Sequence, residues 1–231
     1  MNIAIIPARG GSKGIKQKNL KEINNQTILS RTINAAKNAR RINHIFVSSD
    51  SQEILEEATK NNAIGIHRNQ ELSLDETSTE PVILDAINKI EKKTGIISII
   101  VILQCTSPFT TSNEIDKVVD FLEKKESKHD SAFAASYFHG FIWKYDQGKK
   151  ISSGINHISN QPRKRRQDLE FKQYLELGSV YAIERNAFLT SKSRFGYNPK
   201  PIEVESLNNY LEIDTFEDLR IARLIAKGEI N

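Results

Sequence analysis

The sequence predicts an α/β protein built on a mainly parallel sheet. Two observations carry that expectation. Strand-like and helix-like patterns alternate through the opening stretch, as they do when parallel strands are joined by crossover helices. The strongest strand candidates, 2–7 and 96–103, are also almost continuously apolar. Strands covered on both faces read this way, whereas half-exposed strands alternate.

Taken in order, Asn2–Pro7 is the first strand, and Ile28, Thr32, Ala35 and Ala39 recur at helical spacing over 27–41. A strand over 44–50 follows, and Asp50 or Ser51 can cap a helix over 52–61. Residues 63–66 form a short strand candidate. A polar loop, 67–79, leads to a helix start at Ser78 or Thr79. Val82, Ile83, Ala86, Ile87 and Ile90 face inward from a helix over 81–93. The β-branched run 96–103 takes a central position in the sheet. A helix over 113–125 and a strand over 131–135 come next. From Tyr137 the alternation stops: aromatic residues crowd 138–145, and Asp146-Gln147-Gly148-Lys149 reads as a hairpin turn. We read 137–173 as an insertion away from the main sheet, with aromatics suited to a partner surface. A strand over 174–183 and a final helix over 216–227, capped by Asp214 or Thr215, complete a single domain over 1–231.

Composition narrows the class. At 231 residues, 38% hydrophobic and 27% charged, the chain suits one large globular domain. No apolar run is long enough to span a bilayer, and no basic segment precedes an apolar one at the N-terminus. The single cysteine, Cys105, cannot pair within the chain, which fits a reducing, cytoplasmic setting. The net charge of +4 could serve nucleic acid, yet no nucleic-acid module signature is present. Much of the positive charge sits in two clusters, so an acidic small substrate accounts for it as well.

The first cluster follows the first strand. Arg9-Gly10-Gly11-Ser12-Lys13-Gly14 leads to Lys16 and Lys18, with no acidic residue among them. Glycines let amides approach an anion closely, and a strand emptying into a cationic, amide-rich loop is a common way to hold phosphate. The spacing is neither that of the usual phosphate-binding loop nor that of the dinucleotide fingerprint. Read alone, it could also be a solvated basic turn. Near the other end, Glu212 and Asp214 are one residue apart, so an extended backbone turns both to one side. Such a pair can hold Mg²⁺ against phosphates, or simply precede a capped helix.

Ile6-Pro7-Ala8-Arg9-Gly10-Gly11-Ser12-Lys13-Gly14, followed by Lys18-Asn19-Leu20, resembles the opening of the acylneuraminate cytidylyltransferases, the CMP-sialic acid synthetases. The resemblance continues along the chain. Arg68 to Ser78 is similar to a segment that lies beside the nucleotide in that family, with Asn69 in place of the usual proline. Leu103-Gln104-Cys105-Thr106-Ser107-Pro108 matches the family's strand end, with Cys105 for proline and Phe109-Thr110 for leucine-arginine. Arg163 to Leu169 resembles an arginine segment, and Tyr174, Glu176, Gly178, Ser179 and Tyr181 match a later strand in which Leu177 replaces asparagine. Glu212-Ile213-Asp214 stands at the family's metal-binding acids.

The resemblance implies a three-layer, Rossmann-like nucleotidyltransferase fold with an inserted dimerisation arm over 137–173, and a homodimer. It implies that CTP and a nine-carbon sugar acid give a CMP-sugar and pyrophosphate. The nucleotide would lie against Ala8, Arg9, Gly10, Gly11, Ser12, Lys13, Lys18, Asn19, Arg68, Thr77 and Ser78. The sugar acid would meet Gln104, Thr106, Ser107, Arg163, Arg166, Tyr174, Glu176 and Gly178. Glu212 and Asp214 would hold Mg²⁺, and Arg9, Lys18 and Asp214 would carry the chemistry. Legionaminic, pseudaminic and 3-deoxy-octulosonic acids are alternative substrates, and an inactive nucleotide-binding relative is the alternative outside catalysis.

Overall fold

The computed structural model describes residues 1–124, 128–204 and 210–229. In chain order the strands are β1 (Asn2–Pro7), β2 (Glu22–Ile23), β3 (Gln26–Thr27), β4 (His44–Ser49), β5 (Ile64–His67), β6 (Ile99–Leu103), β7 (Ser131–Tyr137), β8 (Trp143–Asp146), β9 (Ile151–Gly154), β10 (Tyr174–Glu184) and β11 (Pro199–Glu203). The helices are α1 (Ile28–Asn38), α2 (Gln52–Lys60), α3 (Thr79–Thr94), α4 (Ser112–Glu123), α5 (Arg185–Ser191) and α6 (Phe216–Ala226).

Among the described residues, seven strands form one sheet in the order β11-β7-β10-β6-β1-β4-β5. The β6-β1, β1-β4, β4-β5 and β7-β11 pairs are parallel. Only β10 runs against its neighbours, pairing antiparallel with β6 and β7. The apolar run of β1 explains the layering. Ala4 and Ile6 pack with α1, α2, α4 and α6 on one face, while Ile3 and Ile5 pack with α3 and α5 on the other. β1 and β6 are therefore buried on both sides, as their unbroken apolarity requires. Each large aliphatic side chain removed from water here is worth roughly 1.5–3 kcal/mol.

The helix starts follow capping chemistry. The side chains of Thr27 and Ser51 accept from Ser30 N and Ile54 N at the heads of α1 and α2. Thr111 with Glu114, and Thr215 with Asp218, close capping boxes on α4 and α6. Two choices left open by the sequence are thereby decided: Ser51 rather than Asp50 caps α2, and Thr215 rather than Asp214 caps α6.

Some boundaries differ from expectation. The central strand starts at Ile99, not 96, because Ile96 is exposed before the sheet begins. Lys125, where the sequence ends the fourth helix, lies outside the described residues. α5 and β11 carry too few periodic apolar residues to read from the pattern. Between β7 and β10 the chain leaves the main sheet, and β8 and β9 pair as a separate hairpin.

Candidate active site

The carboxyl ends of β1, β4 and β6 lie side by side, so the loop after β1, Asp50 and Gln104 meet at one edge of the sheet. Ligands of open α/β sheets bind at such an edge. The loop is tied down at several points. Gly10 N donates to Asp50 Oδ1 at 2.9 Å, and Asn19 Nδ2 donates to the Arg9 carbonyl at 3.0 Å. A Cβ on Gly14 would stand 2.3 Å from the Asp214 carbonyl oxygen, so only glycine allows the C-terminal segment to pass this close. Lys18 Nζ donates to the Ile213 carbonyl at 2.7 Å and to Asp214 Oδ1 at 3.1 Å. Ile213 N donates in turn to the Thr106 carbonyl at 2.8 Å. Residues nearly two hundred positions apart are thus fastened into one wall.

That wall encloses a cleft of about 500 Å³. Of the residues named from the sequence, Arg9, Ser12, Lys13, Lys18, Asn19, Arg68, Thr77, Ser78, Gln104, Thr106 and Asp214 line it. Ala8 is fully buried beneath the loop, and Ser107 is buried behind Thr106. Gly10 gives its amide to Asp50, so that amide is not free for a ligand. Asp50 thus orders the loop.

Asp75 is a lining residue the sequence did not single out. Its carboxylate accepts from Arg9 Nη1 at 2.7 Å and Lys13 Nζ at 3.1 Å. The bonds from Lys13 and Arg9 hold it below the usual aspartate range. An internal carboxylate therefore stands against the cations expected to meet phosphate. Arg68 is only 3% exposed, and its Nε has no hydrogen-bond partner. Burial lowers its pKa, while Asp50, with Oδ1 3.8 Å from Nη2, opposes that shift. That nitrogen is closed off within the protein, while the residue itself borders the cleft.

Beside this cleft lies a group of carboxylates. Gly178, at φ +26°, makes room for Glu212: a Cβ there would stand 2.0 Å from Glu212 Oε1. The β7–β10 register shifts between Glu176 and Tyr181, and the Tyr181 hydroxyl donates back to Glu176 across that irregularity. Desolvation raises the Glu212 pKa, helped by the charges of Asp214 and Glu176 and opposed by Lys18. Glu212 and Asp214 offer a hard cation oxygen ligands in a place where negative charge is crowded. Among the described residues no group of three or more His, Cys, Asp or Glu could hold a metal. Two carboxylates alone are an incomplete set, and a hard cation held there would need its remaining oxygen ligands from elsewhere.

The structure does not bring Arg163 and Arg166 to the cleft of their own chain. Arg163 stacks over Phe141 at 4.8 Å and Arg166 over Tyr137 at 4.3 Å. Tyr174 and Glu176 stand on β10 outside the cleft lining. Leu177 is buried among core residues, so its side chain is no substitute for a polar sugar contact. Phe109 lies under the Arg31 guanidinium, 5.4 Å from the ring centroid. Cys105 is buried and its thiol is pushed up to about 12, mainly by desolvation, which makes it a packed side chain and not a nucleophile.

A cationic strand-end loop tied to a carboxylate segment, on a mostly parallel sheet, defines a nucleotidyltransferase of the Rossmann-like class. Residues 3–198 match the family model described as cytidylyltransferase, and the chain belongs to that family. It is similar to a pseudaminic acid cytidylyltransferase of Campylobacter jejuni, 29% identical over 98% of this chain and 96% of that protein. It is also similar to N-acylneuraminate cytidylyltransferase A of Danio rerio, 32% identical over 79% of this chain but only 41% of the relative. Among solved structures, CMP:2-keto-3-deoxy-manno-octonic acid synthetase complexed with CTP superposes with a TM-score of 0.73 at 16% identity, over 99% of each chain. The 4-diphosphocytidyl-2C-methyl-D-erythritol synthase of Anaerococcus prevotii gives 0.68 at 14% identity, over 98% of this chain and 96% of that one. At these identities the likeness is one of fold.

Proposed function

We propose that this chain uses CTP to activate a nonulosonic acid, releasing a CMP-sugar and pyrophosphate. The observation that carries this reading is the convergence of Arg9, Lys13 and Lys18 with Asp214 on one cleft. A cytidine triphosphate has its charge met there, and the cleft continues to Gln104 and Thr106, which suit a polyhydroxylated acid. The anomeric hydroxyl of the acid attacks the α-phosphorus. The new O–P bond forms as the bond between the α-phosphorus and the bridging oxygen breaks, pyrophosphate departs with that oxygen, and the hydroxyl proton passes to solvent. Positioning and charge stabilisation dominate such a transfer. Arg9, Lys13 and Lys18 neutralise the charge that gathers on the departing pyrophosphate. Arg68 brings a further positive charge to the nucleotide side of the cleft, and Gln104 orients the acid. Glu212 and Asp214 would hold Mg²⁺, whose chemistry is charge neutralisation on phosphate oxygens and acidification of a bound hydroxyl.

The arm completes the reading. Tyr145, Ile151, Ile155, Ile158 and Phe171 are each more than half exposed between β7 and β10. Exposed apolar side chains gathered in one segment outside the main sheet call for a covering partner, and a second copy of this chain fits. Arg163 and Arg166 then serve a neighbour's sugar carboxylate, which two guanidinium groups match well. The reading expects the cytoplasm, and the free thiol of Cys105 is in keeping with it. Pseudaminic acid leads the substrate panel because that relative matches almost end to end. The experiment is pyrophosphate release with CTP, UTP, ATP and GTP against sialic, legionaminic, pseudaminic and 3-deoxy-octulosonic acids, with and without EDTA. We expect turnover with CTP and a nine-carbon acid only, abolished by EDTA. Preference for a purine triphosphate, or full activity in EDTA, overturns the reading.

A further inference from the structure

Gln104 directly follows β6 at the cleft, and a glutamine amide has one difficulty as a recognition group. Its two ends are nearly equal in shape and opposite in polarity, so it selects nothing unless its orientation is held. Here it is held. The neighbouring groups assign the orientation: with its nitrogen toward β10 the amide donates to the Gly178 carbonyl at 2.9 Å, and its oxygen accepts from Arg194 Nη1 at 2.7 Å. Turned over, the nitrogen would face a guanidinium and the oxygen a carbonyl, a mismatch at both ends.

Arg194 is itself fixed from two other sides. Its Nε donates to Glu80 Oε1 at 2.7 Å, and its guanidinium lies 5.1 Å from the centroid of the Tyr181 ring. The Arg194 and Glu80 side chains are 14% and 23% exposed, so this pair is more protected than a surface bridge. Glu80 lies in the first turn of α3, two residues beyond Ser78 on the cleft wall. Glu80, Arg194, Gln104 and the Gly178 carbonyl thus form a continuous chain from the head of α3 to the β10 irregularity, where Glu212 leans across Gly178.

We propose that Arg194 is a positioning residue that locks the Gln104 amide in one orientation and thereby sets the affinity and selectivity for the sugar acid. In the locked state Gln104 has one amide N–H and one oxygen lone pair left for a ligand, each with a fixed direction, so it can pair with a hydroxyl or an acceptor oxygen of the acid. The proposal rests on the sugar-acid reading above.

Arg194→Lys is the informative change. A lysine ammonium keeps the charge pair with Glu80, and so leaves the head of α3 in place, but its three N–H groups share one nitrogen and lack the spaced Nε and Nη1 donors that reach Glu80 and Gln104 separately. We expect the KM for the sugar acid to rise about tenfold, the size of one lost recognition hydrogen bond. The KM for CTP stays within about twofold and the melting temperature within a few degrees. A cycle with Gln104→Ala separates positioning from general disturbance: once Gln104 is gone, Arg194→Lys adds no further change in the sugar-acid KM. Should Arg194→Lys fail to fold, Arg194→Gln is read by the same two KM values and the same cycle. Wild-type protein is first run with the acid panel. Turnover there, combined with an unchanged sugar-acid KM in the variant, an equal rise in the CTP KM, or additivity in the cycle, overturns the proposal alone. No turnover with any acid overturns both the proposal and the reading beneath it.

Discussion

Asp214→Asn separates a metal-binding role from a structural one. The structure frees Asp214 from capping, since Thr215 accepts from Asp218 N and Asp218 accepts from Thr215 N. The contacts of Asp214 that the change disturbs are few. Its side chain is 68% exposed and pairs with Lys18 at 3.1 Å. Lys18 is the protected partner and Asp214 the exposed one, so after solvent screening the pair contributes about 1 kcal/mol. For a domain of this length 1 kcal/mol moves Tm by about 2–4 °C, so the variant should melt within about 4 °C of the parent. Asparagine keeps the shape and a carbonyl oxygen but loses the charge that a hard cation prefers. Losing one electrostatic stabiliser of the transition state typically costs 10²–10³ in rate, or about 2.7–4 kcal/mol. We therefore expect a folded protein with turnover down at least a hundredfold at limiting Mg²⁺, partly restored by raising Mg²⁺. The assays are differential scanning fluorimetry beside pyrophosphate release over a Mg²⁺ titration. Near-parental turnover at limiting Mg²⁺ would refute the reasoning and leave Asp214 as a surface partner of Lys18.

Three further outcomes follow from the geometry. Asp75→Asn removes the internal anion that pairs with Arg9 and Lys13; the CTP KM should fall about threefold at low salt, with the gain shrinking as salt is added, and a rise in KM would show that Asp75 orders the loop instead. Gly14→Ala drives a methyl to within 2.3 Å of the Asp214 carbonyl; the overpacking should cost about 2 kcal/mol and at least a tenfold loss in kcat, read by denaturant unfolding and initial rates. Cys105, with its thiol pushed from 9.0 to about 12 by burial, should resist iodoacetamide at pH 8 until the protein is unfolded. The folded state keeps a proton that the unfolded thiol loses. Its contribution to stability is therefore complete below pH 9 and declines as pH rises toward about 12, a decline that Cys105→Ala should remove from the alkaline unfolding profile.

The parts of the molecule that follow from local chemistry were readable in advance. The apolarity of β1 and β6, the glycines and cations of the first loop, and the Ser and Thr helix caps each depend on neighbours within a few residues. What was hidden depends on pairing across the chain. Asp75 looks like one acidic residue in a polar loop until the fold sets it against Arg9 and Lys13. Arg194 lies in a short polar connection after α5, and nothing near it in sequence announces Glu80 or Gln104. Asp50 has the composition of a helix cap, but the loop after β1 takes its carboxylate first, and Ser51 caps in its place. Leu177 at a position where its resemblance family carries asparagine is explained by burial, which no alternation pattern in that bulged strand could reveal. The antiparallel course of β10 likewise depends on the path of the preceding insertion.

The central claim, that one cleft joins CTP to a sugar acid, is tested most directly by phosphorus NMR of the complete reaction. With CTP, Mg²⁺ and pseudaminic, legionaminic or sialic acid, the account predicts one new phosphodiester signal growing in equal amount with pyrophosphate, and no consumption of CTP when the acid is withheld. CTP that stays intact with every acid, or that breaks down to free CMP and pyrophosphate with no phosphodiester formed, would contradict it.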